Sequence, residues 1–106
     1  MATKHDLLSL MSTYHSGATD AATGEMLAAE LRCDPRQVRK LVSELREEGT
    51  AVCGHPSSGY FIAKTPEELE RTCQFLRSRA MHSLVLESKL RHVPLPELLG
   101  QMRLKT

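Results

Sequence analysis

Residues 35–48 carry the clearest helical pattern of apolar and polar positions in the chain. Their apolar side chains are spaced i, i+3, i+4 and i+7, which places them on one face of an α-helix. These side chains are Val38, Leu41, Val42 and Leu45. Asp34 is a favourable cap, and Pro35 suits the first helical position. Gly49 is suited to the left-handed conformation that ends a helix, so the pattern predicts a helix over residues 35–48.

The same reasoning predicts two helices before this one and a long helix after it. Thr3 begins a capping-box sequence ahead of a helical apolar pattern over residues 4–15. Thr23 can cap a second helix over residues 24–31. A further capping box, TPEE, opens a helix over residues 66–91. The prolines of VPLP end that helix, and we expect only a short tail, ELLGQMRLKT, after it.

The segment between the third and fourth predicted helices has the pattern of a β-hairpin. Residues 50–53 and 60–63 are short apolar runs and are the strand candidates. Between them, GHPSSG has a glycine at each end and is predicted as the hairpin loop. The polar sequence HSGATDAAT, which follows the first helix, is predicted as a loop.

The order of these elements is helix, helix, tight turn, helix, hairpin and helix. The second and third helices, joined by Arg32-Cys33-Asp34, form a helix-turn-helix, and the hairpin makes it winged. The segments LAAEL, DPRQVRKLVSELREEG and GYFIA resemble the winged-helix domains of the biotin operon repressor type. The wing followed by TPEELERTCQFLRSRA is also similar to small phage and prophage helix-turn-helix proteins. The predicted fold class is therefore mainly α with a small β-hairpin wing.

Two domains are expected from this organisation. Residues 1–65 form the winged helix-turn-helix, and residues 66–106 form a C-terminal helix and tail. The resemblance implies binding to double-stranded DNA, with helix 35–48 in the major groove and hairpin 50–63 as the wing. A wing lies against the adjacent phosphate backbone or minor groove, where hydroxyl and amide groups contact phosphate or sugar.

The polar face of helix 35–48 carries side chains suited to this role. Arg36, Lys40 and Ser43 point away from the apolar stripe, with Arg39 and Gln37 on opposite flanks. Arg binds guanine with two hydrogen bonds, and Gln does the same for adenine. The candidate DNA contacts are Arg36, Gln37, Arg39, Lys40 and Ser43 on the helix, and His55, Ser57 and Ser58 on the wing.

Charge is concentrated locally, because the chain as a whole carries a net charge of only +1. Basic residues dominate residues 32–46, and a local basic face matters more for DNA binding than the sum. The members of this cluster are Arg32, Arg36, Arg39, Lys40 and Arg46, against Asp34 and Glu44. The wing, in contrast, has no Lys or Arg. A winged-helix module for protein–protein interaction, without DNA readout, is therefore the alternative hypothesis.

The long C-terminal helix has more apolar side chains than one face can hold. Leu69, Cys73, Leu76, Ala80 and Leu84 form a stripe that is expected to pack on the winged domain or on a partner. In the second half of the helix, apolar side chains project in nearly all directions. Either the VPLPELL tail folds back over it or a second subunit covers it, and we favour a homodimer. The candidate dimerisation residues are Leu76, Ala80, Met81, Leu84, Val85, Leu86 and Leu90.

Other classes of function are weakly represented in the sequence. We expect no enzyme, because no catalytic triad order, phosphate-binding loop or paired acids are visible. Cys53-Gly54-His55 could suggest a metal site, but the sequence has no second pair of ligands. We therefore expect Cys53 to pack as a small apolar residue beside a loop histidine. We expect no metal or cofactor to be bound. Three cysteines without CxxC spacing indicate no disulfide framework. With no signal peptide or membrane-length apolar run, we expect a cytoplasmic protein.

Overall fold

The computed structural model describes residues 2–55 and 58–103. Over these residues the protein is mainly helical with a small two-stranded antiparallel hairpin, which confirms that part of the predicted fold class. The elements are α1 (Lys4–Tyr14), α2 (Gly24–Leu31), α3 (Pro35–Glu47), β1 (Val52–His55), β2 (Gly59–Ile62), α4 (Pro66–Arg91) and α5 (Leu95–Arg103). The chain divides into two compact units, Met1–Thr72 and Cys73–Thr106, and the division falls within α4.

The first three helices begin at the caps that the sequence predicts. Thr3 and Asp6 form a reciprocal capping box, with each side chain accepting from the other residue's backbone N–H. The Thr23 hydroxyl accepts from the N–H of Met26 at 3.1 Å, and the Asp34 carboxylate accepts from the N–H of Arg36 at 2.7 Å. These bonds satisfy N–H groups that the first turn of a helix leaves without partners.

Helix α3 ends in the left-handed turn predicted at Gly49. Gly49 has φ +89°, and its N–H donates to the carbonyl of Arg46 at 3.0 Å. The next N–H, of Thr50, donates to the carbonyl of Leu45 at 3.0 Å. This is the Schellman pattern, which stops the helix and turns the chain into the hairpin.

Both strands lie nearer the turn of the hairpin than predicted. β1 covers Val52–His55 rather than residues 50–53, and β2 covers Gly59–Ile62 rather than residues 60–63. Val52 pairs with Ile62 at one end of the ladder and His55 pairs with Gly59 at the other. The predicted loop GHPSSG is therefore wrong in part, because its glycines and His55 belong to the strands. A Cβ at Gly54 would lie 2.0 Å from the carbonyl oxygen of Gly59, so only glycine lets the strands approach there. Residues 56–57 of the GHPSSG segment lie outside the described residues.

The edge of β2 that faces away from β1 is paired with the segment after α1 that is predicted to be a polar loop. Ala22 and Tyr60 exchange two backbone hydrogen bonds of 2.9 and 2.7 Å. Ile62 donates to the carbonyl of His15 at 2.9 Å and accepts from the N–H of Gly17 at 2.8 Å. The loop prediction is therefore incomplete. The hairpin is attached to the connection between α1 and α2, and its base is held on that side.

A cluster of buried side chains forms the core of the first unit. It joins all three helices to the hairpin, and the predicted stripe on α3 contributes all four of its members. The cluster consists of Leu7, Met11, Ala22, Leu27, Ala28, Val38, Leu41, Val42, Leu45, Val52 and Tyr60.

Within the first unit, the carboxylate of Glu68 ties the start of α4 to the connection between α1 and α2. One oxygen accepts from the N–H of Ala18 at 2.8 Å, and the other accepts from the N–H of Lys64 at 2.8 Å. These bonds, together with one from Thr65, lower the pKa of Glu68 below its ordinary value, because they favour the charged form.

The second unit contains a helix that the sequence analysis missed. Residues predicted as a short tail form α5, which buries Leu98 to 3% exposure. The chain turns after α4 at His92, which has φ +55°, and the N–H of Val93 donates to the carbonyl of Ser88 at 2.9 Å. Pro96 lies in the first turn of α5, where a missing N–H costs no helical bond. The prolines therefore end one helix and permit the start of another.

Within the described ranges, no helix is long and apolar enough to cross a membrane.

Candidate nucleic-acid interface

The solvent-facing side of α3 carries the polar residues that periodicity assigns to it. Arg36, Arg39, Lys40 and Ser43 are exposed, and Gln37 is half-buried. The four apolar side chains of the opposite stripe are buried. Three cationic side chains therefore share one exposed surface of a helix whose other face is fixed in the core. We call Arg36, Arg39, Lys40 and Ser43 the α3 face.

The turn between α2 and α3 is short and well held. Arg32 adopts φ +56°, and the N–H of Cys33 donates to the carbonyl of Ala28 at 2.9 Å. The Arg32 side chain is exposed, so it adds a cation to the turn that immediately precedes α3.

Arg46 is not part of this exposed basic surface, although the sequence groups it with the cluster. Its Nε donates to the carbonyl of Val52 at 2.8 Å and its Nη2 donates to the carbonyl of Gly54 at 3.1 Å. The guanidinium also lies 5.8 Å from the centre of the Tyr60 ring. Arg46 therefore belongs to the contact between α3 and the hairpin.

The exposed cations of α3 lie in its N-terminal half. Glu47 and Glu48 are exposed near its C-terminal end. Glu48 forms an ion pair with Lys4 of α1, and this contact raises the pKa of Lys4 above its ordinary value. An anionic ligand is consequently favoured at the beginning of the helix and disfavoured at its end.

The candidate wing residues lie at the turn end of the hairpin. Ser58 is exposed beside β2. His55 is half-buried and is the last residue of β1, so its assignment to a loop is wrong. Ser57 lies outside the described residues. The structure thus locates two of the three wing candidates and leaves their contact with DNA a prediction.

Cys53 packs in the protein interior, as the simpler interpretation of this cysteine predicts. Its side chain is fully buried, and its sulfur lies 3.8 Å from the carbonyl oxygen of Glu68. Cys33 and Cys73 are also free thiols, half-buried and exposed respectively. In the part of the chain that the structure describes, no three His, Cys, Asp or Glu side chains form a group that could hold a metal ion.

The predicted dimerisation residues differ in exposure within the second unit. Leu84 and Val85 are half-buried, and Ala80 is exposed. The larger exposed members are Leu76, Met81, Leu86 and Leu90, of which Leu90 is the most exposed at 82%. Phe75 is 47% exposed and was missed by the sequence analysis, although it lies beside Leu76 and its ring faces Arg79 at 5.9 Å.

Comparison with family models, with curated proteins and with solved structures found no match to this chain.

Proposed function

We propose that this protein is a winged helix-turn-helix that binds double-stranded DNA in a sequence-specific manner and regulates transcription without catalysis. The observation that carries the proposal is the α3 face, where Arg36, Arg39 and Lys40 are exposed on the second helix of a tight helix–turn–helix. The opposite side of that helix is buried, so the cations cannot turn inward. The hairpin β1–β2 is the proposed wing.

The attachment of the hairpin supports a role beside α3. β2 is bonded to the connection between α1 and α2, and β1 is bonded to Arg46 of α3. A hairpin held on both edges can present its turn at a fixed place next to a DNA-reading helix. We propose that Ser57, Ser58 and His55 contact phosphate or sugar there, through side chains and backbone amides.

The three cations on α3 are proposed to have different roles. Arg36 or Lys40 reads base edges near the beginning of the helix, and Arg39 contacts the phosphate backbone from the flank. An arginine that reads a guanine contributes roughly 1–3 kcal/mol of discrimination at one base pair. A side chain that contacts only phosphate contributes affinity on every sequence and shows in the salt dependence.

Single alanine substitutions at Arg36, Arg39 and Lys40 test this proposal. All three side chains are exposed, so we expect unchanged folding. Loss of a base-reading residue should relax the base preference at one position of the DNA site. That preference is measured by selecting bound duplexes from a random library. Loss of a phosphate contact should weaken binding to all sequences and reduce the slope of log affinity against log salt by about one. Arg77→Ala, an exposed arginine on α4, is the matched control.

The alternative is a winged-helix module that binds another protein, and the absence of Lys and Arg from the hairpin favours it. The triple variant R36A/R39A/K40A separates the two functions. If it binds duplex DNA as tightly as the wild type, with the same salt slope, α3 is not a DNA-reading element and the protein-interaction alternative becomes the better account.

We further propose that the protein acts as a homodimer through the apolar side chains of its second unit. Leu76, Leu86 and Leu90 remain exposed after α5 has packed, and apolar side chains of this size are favourable in a subunit interface. A two-fold dimer would supply two recognition helices to a DNA site with matching symmetry.

Leu86→Asp tests the dimer by light scattering. Leu86 is 48% exposed, so the substitution should halve the solution mass without unfolding the chain. Ser78→Asp adds the same charge at another exposed position of α4 and is the control. A wild-type protein that is strictly monomeric at high micromolar concentration would show that the dimer proposal is wrong.

A further inference from the structure

We propose that Arg46 is a positioning residue that fixes the wing relative to the recognition helix. This inference rests on the proposed function, because it concerns how the DNA-binding hairpin is oriented. Arg46 lies in the last turn of α3, and its guanidinium reaches β1 through two hydrogen bonds to main-chain carbonyls. One side chain therefore joins the two elements that are proposed to contact DNA.

The two carbonyls that Arg46 binds lie on the free edge of the hairpin. β2 pairs with the other edge of β1, where the carbonyl of Ala51 accepts from the N–H of Ala63 at 3.0 Å. Carbonyls of alternate residues in a strand point to the same side, so those of Val52 and Gly54 both face away from β2. Without Arg46, both acceptors would need water.

Arginine suits this position better than any other cation. Its guanidinium is planar and carries several donors in a fixed arrangement, so it can bind two carbonyls at once, whereas lysine presents a point charge on a flexible stem. The ring of Tyr60 lies 5.8 Å from the guanidinium carbon and adds a cation–π contact. Tyr60 is buried and pairs with Gly54 in the ladder, so Arg46 contacts both strands.

A second contact holds the same edge. The N–H of Gly54 donates to the hydroxyl of Thr72 at 3.4 Å. Both polar groups of the Gly54 backbone are thereby occupied by side chains from helices. Gly54 precedes the turn of the hairpin, so a change at this point alters the direction in which His55 and Ser58 project.

Replacement of Arg46 is expected to loosen the hairpin without loosening α1 and α2. Arg46→Met keeps the length of the side chain and removes its donors, and Arg46→Lys keeps the charge and loses the two-pronged contact. The matched control is Arg77→Met on α4. In Arg46→Met, amide hydrogen exchange across β1 and β2 should accelerate, while exchange in α1 and α2 stays unchanged. Arg77→Met should leave the hairpin as in the wild type.

DNA affinity supplies the second measurement, through a double-mutant cycle between Arg46 and the wing. We expect Arg46→Met to weaken binding on the order of tenfold. In the wild-type background, Ser58→Glu should also weaken DNA binding, because the new carboxylate faces phosphates. In the Arg46→Met background, Ser58→Glu should have little additional effect, because the wing is no longer in place. Arg46→Lys should restore only part of the coupling.

Two results would overturn the inference. Unchanged hydrogen exchange in the hairpin of both Arg46 variants would show that Arg46 does not hold the wing. Strictly additive effects of Arg46→Met and Ser58→Glu would show that Arg46 contributes independently of the wing. If the wild type binds no duplex DNA, the proposed function fails, and the exchange experiment still decides whether Arg46 holds the hairpin to α3.

Discussion

The two units of this protein use apolar residues in opposite ways. In the first unit, apolar side chains from three helices and a hairpin converge on one buried cluster, and Leu7, Met11 and Leu27 have no exposed surface. In residues 73–103 of the second unit, burial is confined to Ser88 and Leu98. Helix α3 gathers its apolar side chains on one face, and that face is buried in the core of the first unit. In the second half of α4 the apolar side chains project in nearly all directions, so a small unit cannot bury them all.

The polar contacts of the two units also differ in role. In the first unit, the side chains of Arg46 and Glu68 bind main-chain groups that lie outside their own helices. In the second unit, Arg91 donates to Glu87 one turn away on the same helix. Contacts of the first kind fix how elements are arranged, whereas contacts of the second kind support a single helix.

The largest expected effect on the free energy of unfolding comes from shortening one leucine in each unit to alanine. Leu27→Ala empties a fully buried site and should lower the free energy of unfolding by about 2–5 kcal/mol. Leu90→Ala makes the same chemical change at a site that is 82% exposed in the single chain. At a protein concentration low enough to keep the chain monomeric, it should change the free energy of unfolding by less than about 0.5 kcal/mol. Urea denaturation followed by circular dichroism measures both. Equal losses would remove the distinction between the units.

A smaller effect is expected from alanine at a glycine in each unit. Gly54 has φ +91° and no space for a Cβ, so Gly54→Ala should cost about 2 kcal/mol or more. Gly100 lies within α5 with nothing within 4 Å of an added Cβ, so Gly100→Ala should stabilise that helix by about 0.5–1 kcal/mol. Thermal unfolding of the two variants should therefore shift in opposite directions. A Gly54→Ala protein as stable as the wild type would show that a Cβ fits between β1 and β2 at this position.

The Glu68 contact should appear in the dependence of stability on pH. Its pKa is lower in the folded chain than its ordinary value of 4.5, so its contribution is complete above pH 4.5. That contribution is lost as the pH falls through the folded pKa, because the protonated carboxyl no longer favours the backbone N–H donors. Glu68→Gln should lower the melting temperature at neutral pH, and its difference from the wild type should shrink below pH 4.5.

Glu67→Gln is the control for this titration, since Glu67 is an exposed neighbour in the same turn of α4. Its melting curve should follow the wild type at every pH. A Glu68→Gln protein that keeps the same deficit from pH 7 to pH 3 would show that the carboxylate charge does not matter at this site.

The smallest expected effect concerns the exposed ion pair of the second unit. Arg91→Gln removes the contact with Glu87, which is partly exposed, and should cost about 0.3–0.5 kcal/mol at low salt. The difference should disappear at high salt, because exposed charges are screened. Lys89→Gln removes a neighbouring exposed charge and serves as the comparison. A loss that persists in high salt would indicate that Arg91 stabilises α5 by packing.

Short-range patterns determined the first four helices of this protein. Thr3, Thr23, Asp34 and Gly49 lie within a few residues of the groups they bind, so each cap is encoded locally. The exposed orientation of Arg36 and Lys40 follows from the same periodicity, because the stripe on the other side of α3 must be buried. The bounds of α1 to α4, to within one residue, and the candidate α3 face were predictable for this reason.

Only the tertiary structure distinguished Arg39 from Arg46. The two residues are seven positions apart, and therefore lie on the same flank of α3. The hairpin lies beside the second of them and supplies carbonyls that bind it, whereas Arg39 remains exposed. Sequence periodicity gives the direction in which a side chain points, but it does not show which other element of the fold lies in that direction.

The remaining differences have the same physical origin. The pairing of Ala22 with Tyr60 joins backbone groups 38 positions apart, and such hydrogen bonds do not depend on side-chain pattern. Helix α5 begins between Pro94 and Pro96. Prolines typically end a helix but are also tolerated in a first turn, so the same residues that stop α4 concealed the start of α5. The sequence determined what local bonds and helical periodicity can encode. Tertiary structure decided the contacts in which the backbone of one element meets another that is distant along the chain.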